Sequence, residues 1–391
     1  MAGVANEMSG LERQQCIDVL CGYLRLPYLP ERGANHQHAL IRRHPAGADR
    51  TEDERHFRFR QNDKEVRQAI VRIIARQLQP DAGTSWSDLD YNFTGAHLEI
   101  ADFSEAAFRG AMVSFRGAAF SGEQTSFGGA TFGGAYTGFD GAASSGKRTT
   151  FDRAMFSGEY TSFDGAAFSG EQAAFNRAEF SSAETRFVGA TFSGRWTIFG
   201  QAEFGGEHTT FGQAEFSGEH TTFDHAQFRG RYTSFDGAAF SGKQARFAGA
   251  VFKGERASLY GATFSGECTS FDKAKFSEEL ATFDRATFRG AETRFAGATF
   301  TGGSTTFSQA EFRSAKTRFD RAAFRVERTI FDGATFSGAD ISFIGATFNG
   351  VLVSFQSAIF GDPAPRFDWD SDVALKPPNV EPDNWPPTTT G

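Results

Sequence analysis

The stretch GAASSGKR, Gly141 to Arg148, has the glycine and lysine spacing of a phosphate-binding loop, whose backbone amides cradle phosphates while the lysine reaches the terminal groups. Its last position holds Arg148 where such a loop needs a hydroxyl for magnesium, and the same register reads GAAFSGKQ at Gly237 to Gln244. The stretch is therefore a drifted repeat in which Ser144 replaces a bulky apolar residue. His208 and His220 lie twelve apart behind Glu207 and Glu219, with His225 close by. They would stack into a metal ladder only if twelve residues made one full turn of the chain. His36, His38 and His44 fall in a charged stretch with no supporting Cys or carboxylate pattern, and Cys16 and Cys21 are five apart without a second ligand pair. Asp224, Asp236, Asp272, Asp284, Asp320 and Asp332 recur at one register, whereas a catalytic carboxylate is singular in a pocket. They are expected to accept backbone N–H bonds at corners. The sequence contains no G-x-S-x-G, H-E-x-x-H or G-x-G-x-x-G. No catalytic, cofactor-binding or metal-ligating residue is assigned, no cofactor is called for, and the expectation is a non-enzymatic protein.

The elements that must carry these residues follow from the periodicity. AHLEI ADFSE AAFRG from Ala96 is three five-residue units with Leu98, Phe103 and Phe108 in third place. From Phe115 to Phe360 the beat becomes twelve: 21 units, each with a bulky residue and a second one five later, and only Ser144 and Leu259 are not Phe. Ala stands two before every second bulky residue, from Ala118 to Ala358. A repeat this regular is a solenoid, in which each unit buries its apolar face against its neighbours. Residues two apart in extended chain face the same way, so the Ala or Thr and its following Phe point inward together. The Gly two after the second Phe, as in Gly122, Gly218 and Gly338, reads as a turn residue. Twelve residues cannot enclose two Phe at protein packing density, whereas two units, 24 residues and four edges, seat four around one axis. About eleven such coils make a rod on the order of 50 Å long.

The units Ala101, Asp102, Phe103 and their neighbours resemble the pentapeptide-repeat family, and the twelve-residue form resembles its Phe-rich actinobacterial variant, in which every second pentad carries two extra residues. The stretch CIDVLCGYLRLPY…EVRQAIVRIIARQL…SWSDLDYNFTGA is similar to the segment preceding the repeats in those proteins. The resemblance implies an all-β solenoid, a right-handed quadrilateral β-helix, with a small α-helical N-terminal region. The seven-residue edges depart from the plain motif and should form bulges or wider corners. Some members mimic duplex DNA to occupy a type II topoisomerase, which makes gyrase protection or inhibition the alternative function.

Three regions are expected: a helical one at 1–84 with a polar loop at 31–61, the β-helix at 85–360, and a Pro-rich acidic cap or tail at 361–391. Ser9 with Glu12 forms a capping box before one helix, and a second opens at Asn62 and stops at Pro80. The tail holds seven of eleven Pro and should trail off, with Phe367 and Trp369 as lids over the last coil. Residues 85–360 carry 25 Lys/Arg against 31 Asp/Glu, a balance of −6, far from the charge of a DNA-length rod. No basic segment suggests direct nucleic-acid binding, no 18-residue apolar run suggests a transmembrane segment, and the start lacks a secretory signal. The chain is therefore expected in the cytoplasm, where the glycosylation triplet at Asn92 would go unused. Its N-terminal helices are open to peripheral membrane association. The leading expectation is a rigid scaffold whose outward surface binds a protein partner of unidentified kind; the N-terminal helices or a rod end would also serve a homodimer.

Overall fold

A computed structural model of the 391-residue chain describes residues 2–28, 39–44, 53–58 and 63–387. Helices α1 (Ala2–Glu7), α2 (Gly10–Arg25) and α3 (Lys64–Gln77) precede a solenoid of parallel strands of two or three residues, except for the eight-residue Thr299–Thr306 and Ala323–Ile330. Successive strands on one edge pair with a 24-residue offset, as in Phe216 opposite Phe192 and Phe240, and Thr221 opposite Thr197 and Ala245. One edge builds a sheet of 12 strands, so the rod has about twelve turns. Each coil alternates two-residue and three-residue strands, for example Glu215–Phe216, His220–Thr222, Gln227–Phe228 and Tyr232–Ser234. The seven-residue edges thus carry their extra length in a three-residue strand, and the corner entering it, 217–219, is no longer than the one leaving it, 223–226.

The core is four columns of rings. In one coil, Phe211, Phe216, Phe223 and Phe228 are all at most 1% exposed. Each lies over its counterpart one coil away, at 4.7 Å for Phe211 on Phe235 and 4.6 Å for Phe216 on Phe240, while Phe211 and Phe223 meet edge to face at 5.4 Å. Offset stacks along the axis and T-shaped contacts across it each add roughly 0.5–1.5 kcal/mol to the burial of the rings. Ala214, Ala226, Thr209 and Thr221 fill the spaces beside them.

Two corner types differ in what they ask of the sequence. Two residues after the first Phe of each unit the backbone is left-handed: Gly237 has φ 65°, and Gln213 and His225 hold 56° and 58°. Gln, Arg and His at this corner accept a conformation that Gly takes freely. The Gly two after the second Phe has a different reason. A Cβ on Gly158 would lie 1.7 Å from the carbonyl oxygen of Gly134, and one on Gly218 1.8 Å from that of Gly194. This column is glycine because adjacent coils close on it, so close approach rather than turning is its main requirement.

The N-terminal end is covered by helix. Ile17, Leu20, Cys21 and Leu24 of α2 and Ile70, Val71 and Ile74 of α3 join the core cluster. Arg67 is buried between them and donates to the carbonyls of Leu24 at 2.8 Å and Leu26 at 2.6 Å. Trp86 is fully buried and donates to Asn6 at 3.0 Å, tying α1 to the entry of the rod. Ser9 occupies the N-cap of α2 in extended conformation, without the side-chain bond that a capping box supplies. The stretch expected as a polar loop contains an antiparallel hairpin, β1 (Ala39–His44) with β2 (Asp53–Arg58), whose register sets Leu40 opposite Phe57. Neither strand alternates apolar with polar residues, so composition read them as loop.

The C-terminal segment does not trail off within the described residues. Phe367 stacks on Phe343 at 4.7 Å, Trp369 lies on Phe367 at 4.8 Å, and Trp385 meets Phe367 edge-on at 5.0 Å. Val380–Glu381 then pairs as a strand with Val353–Ser354. Phe367 and Trp369 are the expected lids; Trp385, deep in the Pro-rich tail, is a third that composition concealed.

Candidate interaction surface

The residues singled out for chemistry are dispersed by the 24-residue coil. His208 pairs in register with Glu184 and Tyr232, while His220 lies on another sheet between Trp196 and Gln244. His225 occupies a left-handed corner. Among the described residues no group of three His, Cys, Asp or Glu is placed to hold a metal ion. His36 and His38 lie outside the described residues, and His44 ends β1. In the GAASSGKR stretch, Ala143–Ser144 and Arg148–Thr150 are strands on successive edges, Ser144 is buried against Thr149 through a hydroxyl bond, and Lys147 reaches Glu123 at 3.7 Å. No helix follows the loop, so its amides do not form a phosphate cradle.

The recurrent Asp residues act between coils. Asp224 accepts the amide of Ala248 at 2.9 Å, Asp236 that of Tyr260 at 3.0 Å, Asp272 that of Ala296 at 3.0 Å and Asp284 that of Ser308 at 2.7 Å. Each donor stands 24 residues on, one coil up, at the place an Asp would occupy if the column were continuous. From Gly200 to Gln356 Asp and a non-acidic residue alternate from coil to coil, which keeps carboxylates from stacking about 4.8 Å apart; lower down, Asp140 and Asp164 are consecutive in one column. A neighbouring column alternates sign outright: Glu123, Lys147, Glu171, Arg195, Glu219, Lys243, Glu267. Glu219 lies 3.3 Å from Lys243 and 3.7 Å from Arg195, and the bond from Lys243 pulls its carboxyl below the ordinary range. Such exposed pairs contribute little stability individually. Their order favours one coil register over a shifted one, because a one-coil slip sets like charges together.

One stretch of surface is hollowed instead. At the corner between the two-residue and three-residue strands of the lower coils, an open groove of about 550 Å³ runs over Gly133, Ser157, Gly158, Ser181 and Gly205, with Glu159 and Glu207 on its border. Its floor is bare because the steric rule at Gly158 and Gly206 keeps side chains off it. Further up the rod, Arg229 and Lys253 take the places of Ser157 and Ser181. The adjoining three-residue strands present Tyr136 stacked on Tyr160 at 5.7 Å and His208 on Tyr232 at 5.0 Å. Burial, reinforced by a bond to Asp140, raises the Tyr136 hydroxyl above the usual phenol range and keeps it neutral. On the groove border Glu159 makes no ion pair among the described residues, Glu207 interacts with Arg231 one coil above, and nearby Glu203 is met by Arg229 at 3.4 Å. On another edge, Trp196 is 38% exposed and stacks on His220 at 4.2 Å. The groove depends on which columns adjoin at a corner, and no local sequence pattern reports it.

No family model, curated protein or solved structure matches the chain. No helix among the described residues is long and apolar enough to cross a membrane.

Proposed function

We propose that this chain is a non-enzymatic scaffold of the pentapeptide-repeat type, a rigid rod that presents its outward columns to a protein partner. The observation that carries this reading is the open groove over Gly158, bordered by Glu159 and Glu207 and adjoined by the ring pair Tyr136–Tyr160. Aromatic rings are enriched at interfaces, and the half-buried Tyr136 and Tyr160 beside a bare backbone floor fit that composition. The rigid core supports it: a surface held by stacked coils loses little conformational freedom on binding.

Charge favours this reading over mimicry of duplex DNA toward a type II topoisomerase. Arg246, Arg294 and Arg318 sit on one edge and Arg229, Lys253 and Arg325 on another, so basic side chains are interspersed with the acidic ones. A DNA of comparable length, on the order of 50 Å, carries roughly 30 uniform negative charges. Two assays test the reading together. The full-length rod and the folded variant E159K/E207K are used as baits in cell lysate, and purified gyrase is assayed for supercoiling with each. A protein retained by the native rod and lost from the variant supports the scaffold. Retention of nothing by either, or inhibition of gyrase at micromolar protein, overturns it.

A further inference from the structure

The steric glycine column has one charged intruder. Glu278 stands two after Phe276, in the register of Gly254 one coil below and Gly302 one coil above, and is 3% exposed. Neither of its carboxylate oxygens has a hydrogen-bond partner among the described residues. Ser182 and Ser314 also replace glycine here, and their hydroxyls meet Thr161 at 2.7 Å and Thr293 at 2.8 Å. The place equivalent to those threonines, 21 residues before Glu278, is Ala257, and Ala281 stands where Thr is usual in the coil of Glu278 itself. Both alanines are at most 2% exposed. Two small residues make room for the longer side chain and supply no polar partner.

The corner directly above is altered too. Thr299–Thr306 runs through it as one eight-residue strand, and Gly302 takes φ 124° with its Cβ position 1.9 Å from the Glu278 carbonyl oxygen. Among the described residues no cation reaches the carboxyl. In its own coil the charged neighbours are Lys275 and Glu279, both exposed; in the coil below they are exposed Lys253 and Arg256 and half-buried Glu255, which is held by Arg231 at 2.7 Å and Tyr232 at 3.0 Å. The strand above contributes no titratable side chain.

We propose that Glu278 is a proton-locked seam: the rod closes at this corner around a neutral carboxyl, and loss of that proton opens the two coils that Glu278 joins. An ionised carboxylate without a partner is strongly disfavoured in apolar surroundings, whereas in an opened corner water solvates it. Burial raises the group from 4.5 to about 8 in the closed corner, against a weaker opposing effect of the Glu278 and Ser277 amides. The sign follows. Below the ordinary carboxylate range both states hold the proton and opening is independent of pH; between that range and about 8 only the closed state holds it, so closure weakens as pH rises.

Hydrogen exchange of the full-length chain, corrected for intrinsic rates, tests this from pH 5 to 9 in native protein, E278Q and E278G. Opening of segments 276–282 and 252–258 should rise about tenfold per pH unit up to about pH 8 and then level, while segment 187–222 stays flat. E278Q keeps the size and E278G restores the column glycine; both should remove the gradient. A flat native profile, a gradient retained by E278Q, or an equal gradient in segment 187–222 overturns the proposal.

Discussion

Ser144 is a natural deletion in the ring ladder, and refilling it is the sharpest test of how the core is held. Its column runs Phe120, Ser144, Phe168, Phe192, Phe216, with register intact on both sides: Ser144 lies opposite Phe120 and Phe168. Elsewhere in this column neighbouring rings stack at 4.9 Å for Phe192 on Phe216 and 4.6 Å for Phe216 on Phe240. Beside Ser144 those contacts are missing, and Phe168 is 6% exposed against 1% for Phe216. Because the backbone has not closed the gap, S144F should regain most of what a Phe-to-Ala change forfeits, about 3–5 kcal/mol. It gives up the Ser144–Thr149 hydroxyl bond, about 1 kcal/mol. Thr149 is then left as Thr197 and Thr221 already are, buried without a partner. A net gain of about 2–3 kcal/mol corresponds to roughly a 30- to 150-fold drop in local opening. The mirror change F216S should lose about 3–5 kcal/mol at its own coil. Hydrogen exchange over segments 119–126 and 143–150 reads the first and 209–222 the second, since a solenoid opens coil by coil. Increased exchange in S144F would show that the neighbours cannot admit a ring, and an unmoved F216S would refute ring stacking as the principal stabiliser.

The two glycine corners should separate cleanly in thermal melts: G158A meets the Gly134 carbonyl at 1.7 Å and should lower Tm by many degrees, while G165A, with φ 62° and open space, should lower it only by what a left-handed alanine costs, about 1 kcal/mol. Y260D sets a carboxylate one coil above Asp236 in place of a ring at 41% exposure; its destabilisation should shrink with added salt and vanish as pH falls below the carboxylate range, and a salt-independent loss would point to Tyr260 packing instead. W385A removes the edge contacts to Phe355, Phe360 and Phe367, so limited trypsin digestion should cut faster after Arg366 without change in the central coils. If cleavage there is unaltered, the tail is held by the Val380–Glu381 strand alone.

The period of twelve, the near-invariant Phe and the Ala before each second one specify the coil directly, because inward positions repeat with the backbone and four large rings leave one way to fill the cross-section. Phe211, Phe216, Phe223 and Phe228 were legible as one turn of the core for that reason. The purpose of Gly218 was not: its side of the chain closes on a carbonyl contributed by residue 194, and no local pattern reports a contact 24 residues away. Asp236 likewise looks like a turn residue in isolation and becomes a bridge between coils once Tyr260 lies above it.

Sequence alone thus determined the solenoid, the residues inside it and the absence of a recognisable catalytic motif, all of which follow from local spacing and residue type. Tertiary structure decided which columns adjoin at a corner, so it alone revealed the groove beside Glu159 and the unpartnered carboxyl of Glu278. Both depend on residues one or more coils apart, and their environment exists only after the chain has wound back over itself.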